Sequence, residues 1–391
     1  MTCSSAVRRV SIPFRTRRRF LLSADVNYLF LHADREWSGT ARAFAVAAHG
    51  LARRGHSVVF ATARDSTVER VISETATSPE RALLDVESMN LGGMWIGAAR
   101  RLARLTRRHL SDVVLVNTDR EHLVAAIAYR IGSRAPVIRR MRAGKPLDMR
   151  GTGRLAARIA PTCYLFATEQ DASAAVIPRG TTGKVIAPMG VAEAPPQNAT
   201  DLLGDDVNVV CVHDASSRSR AAAAIRTVAM LAPRHPGLHL TIMGDGGGGG
   251  TYDDDLKMQA AALGALDLVT FLGDRADQLE VMRRARLGWV VADSDTAVFG
   301  ILDFMSLGIP VLVPERSVAE QYVLNDITGM LVPSDDAFMT AAAAAELLTS
   351  DSRREAMGAA GRGRVVREGG EAAMIDGFEH AAAAATRKRK R

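Results

Sequence analysis

The sequence lacks the features that mark disulfide-stabilised, exported and membrane-spanning proteins. Only three cysteines occur in 391 residues, far apart and without metal-ligand spacing: Cys3, Cys163 and Cys211. Such cysteines are typical of small, buried, unpaired side chains in a protein from a reducing compartment. No run reaches the roughly 18 apolar residues of a transmembrane helix. The twin-arginine-like residues 16–21 are followed by Asp25 and Asn27, which interrupt the apolar segment that an export signal needs. We therefore expect a cytoplasmic protein.

Negative charge is missing from both ends of the chain. Residues 1–20 hold six arginines and no acid, and residues 387–391 are all basic. These tails supply eleven positive charges, so the net charge of +7 leaves −4 for the rest of the chain. Because no continuous basic face is predicted, we expect no nucleic-acid partner. The tails are typical of solvated disordered segments, and the alternative is peripheral contact with anionic lipid at the inner face of the membrane.

A dinucleotide-binding fingerprint is missing too. A Rossmann domain that binds a nicotinamide cofactor has Gly-x-Gly-x-x-Gly directly after its first strand. Here a single glycine, Gly39, follows the strand-like residues 26–32. The glycine run 246–250 also follows a strand-like segment, but it has no spacing pattern and is typical of a low-complexity loop. The sequence therefore argues against a dehydrogenase, and we expect no cofactor.

What the sequence does contain is an alternation of short apolar segments with amphipathic stretches, in two successive halves. This alternation predicts parallel strands with helices on both faces. The strand-like segments are 26–32, 57–62, 112–117, 136–139, 163–168, 207–212, 238–243, 267–272, 287–292 and 310–314. The fold class is therefore α/β, with two Rossmann-like doubly wound parallel-sheet domains that face a central cleft. The predicted units are a disordered basic tail, an N-terminal domain, a C-terminal domain, and a helix with a basic tail: 1–24, 25–195, 205–370 and 371–391.

The segment 295–310 is the most informative stretch. It places Asp295 and Asp303 around a Phe-Gly pair and before a Gly-x-Pro step into an apolar strand. Carboxylates accept hydrogen bonds from sugar or ribose hydroxyls, and the N–H groups of a helix start favour phosphate oxygens. These residue types predict a polar ligand. The alternative is an ordinary crossover between strands with two solvated acids.

Four motifs occur in an order that resembles the retaining GT-B glycosyltransferases, in particular the large family 4 of nucleotide-sugar-dependent enzymes. Each motif alone is weak, and their common order and spacing make the resemblance specific. It extends over about residues 26–370. The motifs are Leu240–Gly246, Val269–Gly273, Asp295–Asp303 with Gly308–Val311, and Glu320 with Asn325–Pro333.

The resemblance implies roles for several residues in donor binding. Asp303 stands where the family's second acid binds the ribose hydroxyls, and Asp295 where the first acid contacts the transferred sugar. Gly39 matches the glycine that lets the backbone approach the donor diphosphate, and Gly244 lies near the base. Phe299-Gly300 corresponds to the pair with phosphate-facing N–H groups, although it falls two residues late.

Two further departures concern the acids and the basic residues of the family. Both motif acids are Asp, one methylene shorter than Glu, so hydroxyl contacts need a closer backbone or a bridging water. The family neutralises the leaving diphosphate with an Arg and a Lys after the first strand of the C-terminal domain. Here Arg218 and Arg220 are the candidates for that catalytic role, together with Asp295.

The acceptor side is predicted to be basic. The family usually carries a His near residues 137–144, and this chain has Arg139, Arg140 and Arg142 instead. Further candidates are Arg35, Glu36, Trp37 and Lys145. A basic acceptor side predicts an anionic acceptor, such as a lipid-linked or envelope glycan precursor.

The resemblance implies a glycosyltransferase that moves a sugar from a nucleotide-diphospho-sugar to a glycan, lipid-linked or small-molecule acceptor. It implies retention of configuration without an enzymatic nucleophile. No metal is expected, because arginines and helix N-termini can stabilise the leaving diphosphate. Two alternatives stay open: a degenerate GT-B domain that binds a nucleotide-sugar or a partner without catalysis, and a GT-B sugar-nucleotide epimerase.

Overall fold

The computed structural model describes residues 25–76, 84–89, 95–147, 151–178, 181–195, 197, 207–245, 251–273, 278–333 and 336–387. These residues form two α/β domains, each built on one parallel sheet. The predicted fold class is confirmed. Residues 1–24 and 388–391, which hold the predicted basic tails apart from Arg387, and the glycine run 246–250 lie outside the described residues.

The N-terminal sheet has seven parallel strands in the order β3-β2-β1-β4-β5-β6-β7. The strands are β1 Asn27–His32, β2 Ser57–Ala63, β3 Asp85–Met89, β4 Val113–Val116, β5 Val137–Arg140, β6 Thr162–Phe166 and β7 Gly183–Ile186. The helices are α1 Gly39–Arg53, α2 Thr67–Ala76, α3 Trp95–Arg108, α4 Asp119–Ala128, α5 Thr152–Ile159 and α6 Glu169–Ala174. A π-helical turn, Tyr129–Ser133, extends α4.

The C-terminal sheet has six parallel strands in the order β10-β9-β8-β11-β12-β13. The strands are β8 Val207–Asp214, β9 Leu238–Asp245, β10 Val269–Gly273, β11 Leu287–Val290, β12 Val311–Pro314 and β13 Met330–Val332. The helices are α7 Arg218–Leu231, α8 Thr251–Ala262, α9 Gln278–Arg283, α10 Asp295–Leu307, α11 Ala337–Thr349 and α12 Asp351–Glu368. Short 3₁₀ turns lie at Ala215–Ser217, Ala232–Arg234, Leu266–Leu268 and Val318–Gln321.

The central strands are largely apolar, because helices cover both faces of each sheet. β1, β4, β11 and β12 consist almost entirely of buried residues. This run of apolar residues is the signal from which they were predicted. The edge strands β3 and β7 are more polar and partly exposed, so the sequence pattern missed them.

Helix α10 runs through the segment that carries the two motif acids. It begins at Asp295, where Ser294 caps it by accepting a hydrogen bond from the Thr296 N–H, and it ends before Gly308 in a left-handed conformation. Every residue from Ala297 to Leu307 is buried, so no polar face marks its period. The two motif acids therefore lie on one helix, about two turns apart.

The last helix, α13 Glu371–Thr386, returns to the N-terminal domain. Phe378 packs against Phe30 of β1, with 6.1 Å between the ring centroids. Arg54 at the end of α1 pairs with Asp376 and Glu379. The chain thus crosses between the two domains twice, once before β8 and once between α12 and α13.

Candidate functional site: a cavity between two helix N-termini

A cavity that is open to solvent lies between the two domains. It is bordered by the start of α1, by α9 and α10, and by residues near the carboxyl ends of β8 and β9. Four of the predicted donor-binding residues line it: Gly39, Gly244, Phe299 and Gly300. Met243 and Met282 form an apolar part of the cavity wall. The carboxyl ends of parallel strands at a domain boundary are a common place for a ligand in α/β proteins.

The N-termini of α1 and α10 lie against each other at the edge of the cavity. The Ser38 side chain caps α1, and the Gly39 N–H donates to Thr296 Oγ1 of α10 at 3.2 Å. A Cβ atom on Gly39 would lie 2.2 Å from the Thr296 nitrogen, so only glycine allows this approach. Two helix N-termini next to one cavity favour a negatively charged ligand.

Asp214, at the end of β8, holds the loop that leads into α10. Its Oδ2 atom accepts hydrogen bonds from the Asp293 N–H at 3.1 Å and from Ser294 Oγ at 2.7 Å. Burial alone would raise the pKa of Asp214, but hydrogen bonds from Ser216, Ser294 and Asp293 lower it below its usual value. The N-terminus of α10 is therefore fixed by the first strand of the same domain.

Gly244 meets a steric requirement of β9. Its φ angle is +130°, and a Cβ atom there would lie 2.1 Å from the carbonyl oxygen of His213 on β8. A side chain would strain the backbone and push β9 away from β8. Gly244 thereby keeps a bare stretch of backbone at the cavity wall.

Asp303 does not line the cavity, although the resemblance implies that it binds ribose. Its two oxygens accept hydrogen bonds from Arg42 of α1, Oδ2 from Nη1 at 2.5 Å and Oδ1 from Nη2 at 2.8 Å. The Asp303 side chain is 3% exposed and the Arg42 side chain 27%. Burial alone would lower the pKa of Arg42, but the attraction of Asp303 outweighs it and raises that pKa. Arg42 also lies 4.5 Å from the centroid of the Phe299 ring, in a cation–π contact.

Asp295 is buried in a second contact between the domains. Its Oδ2 atom accepts from Arg140 Nη1 at 2.8 Å and from Thr40 Oγ1 at 3.0 Å, and Oδ1 accepts from the Ala143 N–H at 2.9 Å. Burial alone would raise its pKa, but the charge and hydrogen bond of Arg140 and the two other donors lower it. Contact with a transferred sugar would require these donors to release Asp295.

Arg218 and Arg220 lie away from the cavity, contrary to the expectation that they face a leaving diphosphate. Arg218 pairs with Asp255 at 2.9 Å, and Arg220 lies 3.5 Å from Asp293 and borders a separate groove. The physical reason is the side of the sheet on which α7 packs. Ala221 and Ile225 of α7 belong to the apolar cluster on one face, and the buried residues of α10 belong to the cluster on the other.

The three acceptor-side arginines have different surroundings. Arg140 is paired with Asp295, and Arg142 is half-buried in the loop after β5. Arg139 is buried and contacts Asp119 at 3.2 Å. Its Nε and Nη1 atoms, and the hydroxyl of the neighbouring Tyr164 on β6, have no hydrogen-bond partner within the described part of the chain. Burial lowers the pKa of Arg139, and the unpaired donors favour an anion or a water molecule at this position.

Sequence reasoning missed Arg42, the cation that lines the cavity. A weak signal exists, because an arginine three residues after a glycine at a helix start can face the same ligand as that glycine. Nothing in the local sequence, however, connects Arg42 with Asp303, which lies 261 positions away.

Two parallel-sheet domains that face each other across a cleft define the GT-B class of fold. Residues 197–364 match the family of glycosyl transferases group 1. The predicted resemblance to GT-B glycosyltransferases of the family 4 kind is thereby confirmed, and the family match lies in the C-terminal half.

The curated relatives match part of the chain. The chain is 31% identical over 169 residues to the GDP-mannose-dependent alpha-(1-6)-phosphatidylinositol monomannoside mannosyltransferase of Mycobacterium tuberculosis. That match covers 41% of this chain and 43% of the relative. The enzyme of the same name from Mycolicibacterium smegmatis matches to the same extent. The chain therefore spans less than half the length of the curated relatives that it matches.

Solved structures agree with the fold over most of the chain. HepE of Anabaena, in complex with UDP and glucose, has a TM-score of 0.77 at 17% identity, over 92% of this chain and 99% of HepE. A glycosyltransferase from Rickettsia africae has a TM-score of 0.73 at 12% identity, over 93% of this chain and all of the other. At these identities the likeness shows the fold.

Proposed function

We propose that the protein is a glycosyltransferase that moves a sugar from a nucleotide-diphospho-sugar to a hydroxyl group of an acceptor. The observation that carries the proposal is the cavity between the N-termini of α1 and α10, lined by Gly39, Gly244, Phe299 and Gly300. Backbone N–H groups and two helix dipoles favour a diphosphate there, and the apolar wall suits a nucleotide base. The likeness to HepE, which was crystallised with UDP, supports the same ligand class.

The proposed reaction breaks the bond between the sugar C1 atom and the diphosphate oxygen and forms a bond from C1 to the acceptor oxygen. Positive charge develops on the sugar ring while negative charge develops on the diphosphate. The helix N-termini stabilise that negative charge, so the reaction proceeds without a metal ion. We propose retention of configuration, with the leaving diphosphate taking the proton of the acceptor hydroxyl.

The acceptor is proposed to be an anionic glycan or lipid-linked glycan. Arg139 supports this class, since its unpaired buried donors would be satisfied by a phosphate or carboxylate. The mycobacterial relatives are named as mannosyltransferases that act on a phosphatidylinositol mannoside, which agrees with an anionic acceptor. Among the described helices, none is long and apolar enough to cross a membrane. Cytoplasmic location and peripheral membrane contact through the basic tails stay predictions.

A non-catalytic donor-binding domain is the second candidate function. The observation that favours it is the pairing of both motif acids with arginines of the other domain. Such a protein would bind a nucleotide-sugar and transfer nothing.

The test is calorimetric titration with UDP, GDP and ADP, followed by a transfer assay with the matching nucleotide-sugar. We expect one diphosphate to bind at micromolar strength and Gly39→Val to abolish the binding, because the added side chain separates α1 from α10. Arg218→Ala is the matched control, since Arg218 lies outside the cavity. Binding without release of diphosphate in the presence of any acceptor would favour the second candidate, and no binding at all would contradict both.

A further inference from the structure

The only positive charge among the described residues that line the cavity belongs to Arg42. A donor diphosphate carries negative charge, and buried anions need partners that compensate it. Arg42 lies in the first turns of α1, three residues after Gly39, so it stands beside the helix start that already favours an anion. If the cavity is the proposed donor site, one of its residues must compensate the charge of the diphosphate.

The guanidinium of Arg42 is held rigidly by α10. Asp303 accepts one hydrogen bond from each terminal nitrogen of Arg42, with N–O distances of 2.5 and 2.8 Å. The Phe299 ring lies 4.5 Å from the guanidinium carbon and restricts motion on one side. Because the Asp303 carboxylate holds one edge of the planar guanidinium and the Phe299 ring covers one face, the group has little freedom to rotate. It is therefore oriented before a ligand binds.

Three donors of Arg42 remain for a ligand. A guanidinium has five N–H groups, and two of them point at Asp303. The Arg42 side chain is 27% exposed, whereas that of Asp303 is 3% exposed. The arginine therefore reaches the cavity and the carboxylate does not.

We propose that Arg42 binds the diphosphate of the donor, and that Asp303 is a positioning residue that aims Arg42 rather than a ligand of the ribose. The N-terminal domain then supplies the cation that Arg218 and Arg220 were expected to supply. Arg220 borders a separate groove, and Arg218 pairs with Asp255 of α8. The shorter Asp at position 303 fits this assignment, because the acid contacts a neighbouring helix instead of reaching across the cavity.

The first experiment compares binding of a nucleoside, its monophosphate and its diphosphate to wild type, Arg42→Gln and Arg218→Gln. We expect Arg42→Gln to weaken diphosphate binding about 10- to 100-fold, as the loss of a charge-assisted hydrogen bond implies, and to leave nucleoside binding nearly unchanged. Arg218→Gln should bind all three ligands like wild type. Equal binding of diphosphate by both variants would overturn the assignment of Arg42.

The second experiment tests the role of Asp303 with 2′-deoxy and 3′-deoxy nucleoside diphosphates on wild type and Asp303→Asn. If Asp303 aims Arg42, each missing hydroxyl costs the same affinity in both proteins, while Asp303→Asn weakens every diphosphate. If Asp303 binds ribose, the penalty for a missing hydroxyl disappears in Asp303→Asn, and the assignment is overturned. Circular dichroism of each variant checks the fold.

The two proposals fail in different ways. A wild-type protein that binds no nucleoside diphosphate contradicts the proposed function itself. A wild-type protein that binds a diphosphate with the same affinity as Arg42→Gln contradicts only the assignment of Arg42.

Discussion

His122 on α4 is buried against the Tyr164 ring, and its Nε2 atom lies 3.0 Å from Thr162 Oγ1. Burial, aided by the charge of Arg139, lowers the pKa of His122 to about 3. In the unfolded chain the pKa of histidine is about 6.5. The folded protein therefore keeps this ring neutral over a pH range in which the unfolded chain binds a proton.

The consequence is a loss of stability on acidification. His122 contributes its full stability above pH 6.5, and the contribution falls as the pH drops towards 3, because the unfolded state gains a proton first. We expect His122→Gln to reduce the slope of unfolding free energy against pH between about 6.5 and 4, measured by urea denaturation. His380→Gln, at an exposed position of α13, serves as the control. A slope equal to that of wild type would contradict the prediction.

Single residues of the site were predictable where the constraint is local. Gly39 and Gly244 were predicted from the resemblance to the family motifs, and the structure places both at the cavity wall. The partners of Asp295 and Asp303 could not be predicted, since Arg140 and Arg42 come from the other domain and no local pattern encodes a pairing over such a distance.

Among the elements, helix α13 follows the C-terminal domain in sequence but packs against the sheet of the N-terminal domain. It covers the N-terminal sheet through Met374, Ile375 and Phe378, all buried. A Cβ atom on Gly377 would lie 2.3 Å from the Cβ of Ala187, so the helix approaches the chain after β7 as closely as its backbone allows.

Phe378→Ala should therefore destabilise the N-terminal domain. Removal of a fully buried phenylalanine costs about 3–5 kcal/mol, because it loses apolar burial and leaves a cavity. Phe338→Ala on α11 is the matched control: that ring is 79% exposed, and its removal should change the unfolding free energy by less than about 0.5 kcal/mol. Denaturant unfolding measures both variants, and an equal effect would show that α13 is not part of the N-terminal core.

Elements were predictable when one property repeated along them. The buried strands of both sheets carry continuous apolar runs, and the amphipathic helix α3 has one buried face. Helix α10 is buried all round, so the sequence gives no periodic signal for its length. The docking site of α13 depends on tertiary packing and was not accessible from the pattern.

At the scale of the whole molecule, two arginine–carboxylate pairs join the domains on either side of the contact between α1 and α10. Arg42 meets Asp303, and Arg140 meets Asp295, in each case with the arginine from the N-terminal domain. The second pair is almost fully buried. Removing one partner of such a pair leaves an uncompensated charge, at a cost of about 3–5 kcal/mol.

We expect Asp295→Asn to favour separation of the two domains, because separation returns water to Arg140. Small-angle X-ray scattering should then give a larger radius of gyration than for wild type. Asp119→Asn is the control, since Asp119 pairs with Arg139 inside one domain. If both variants keep the wild-type radius, the pair does not hold the domains together.

The return of α13 to the first domain also has a consequence for the order of events during synthesis. A ribosome releases residues 27–186, which form the N-terminal sheet, long before it releases residues 371–386. The sheet face around Phe30 stays uncovered while the entire C-terminal domain is translated, because α13 is synthesised after that domain. An apolar surface exposed for that interval is a natural substrate for a chaperone. The domain that starts to fold first is the one that finishes last.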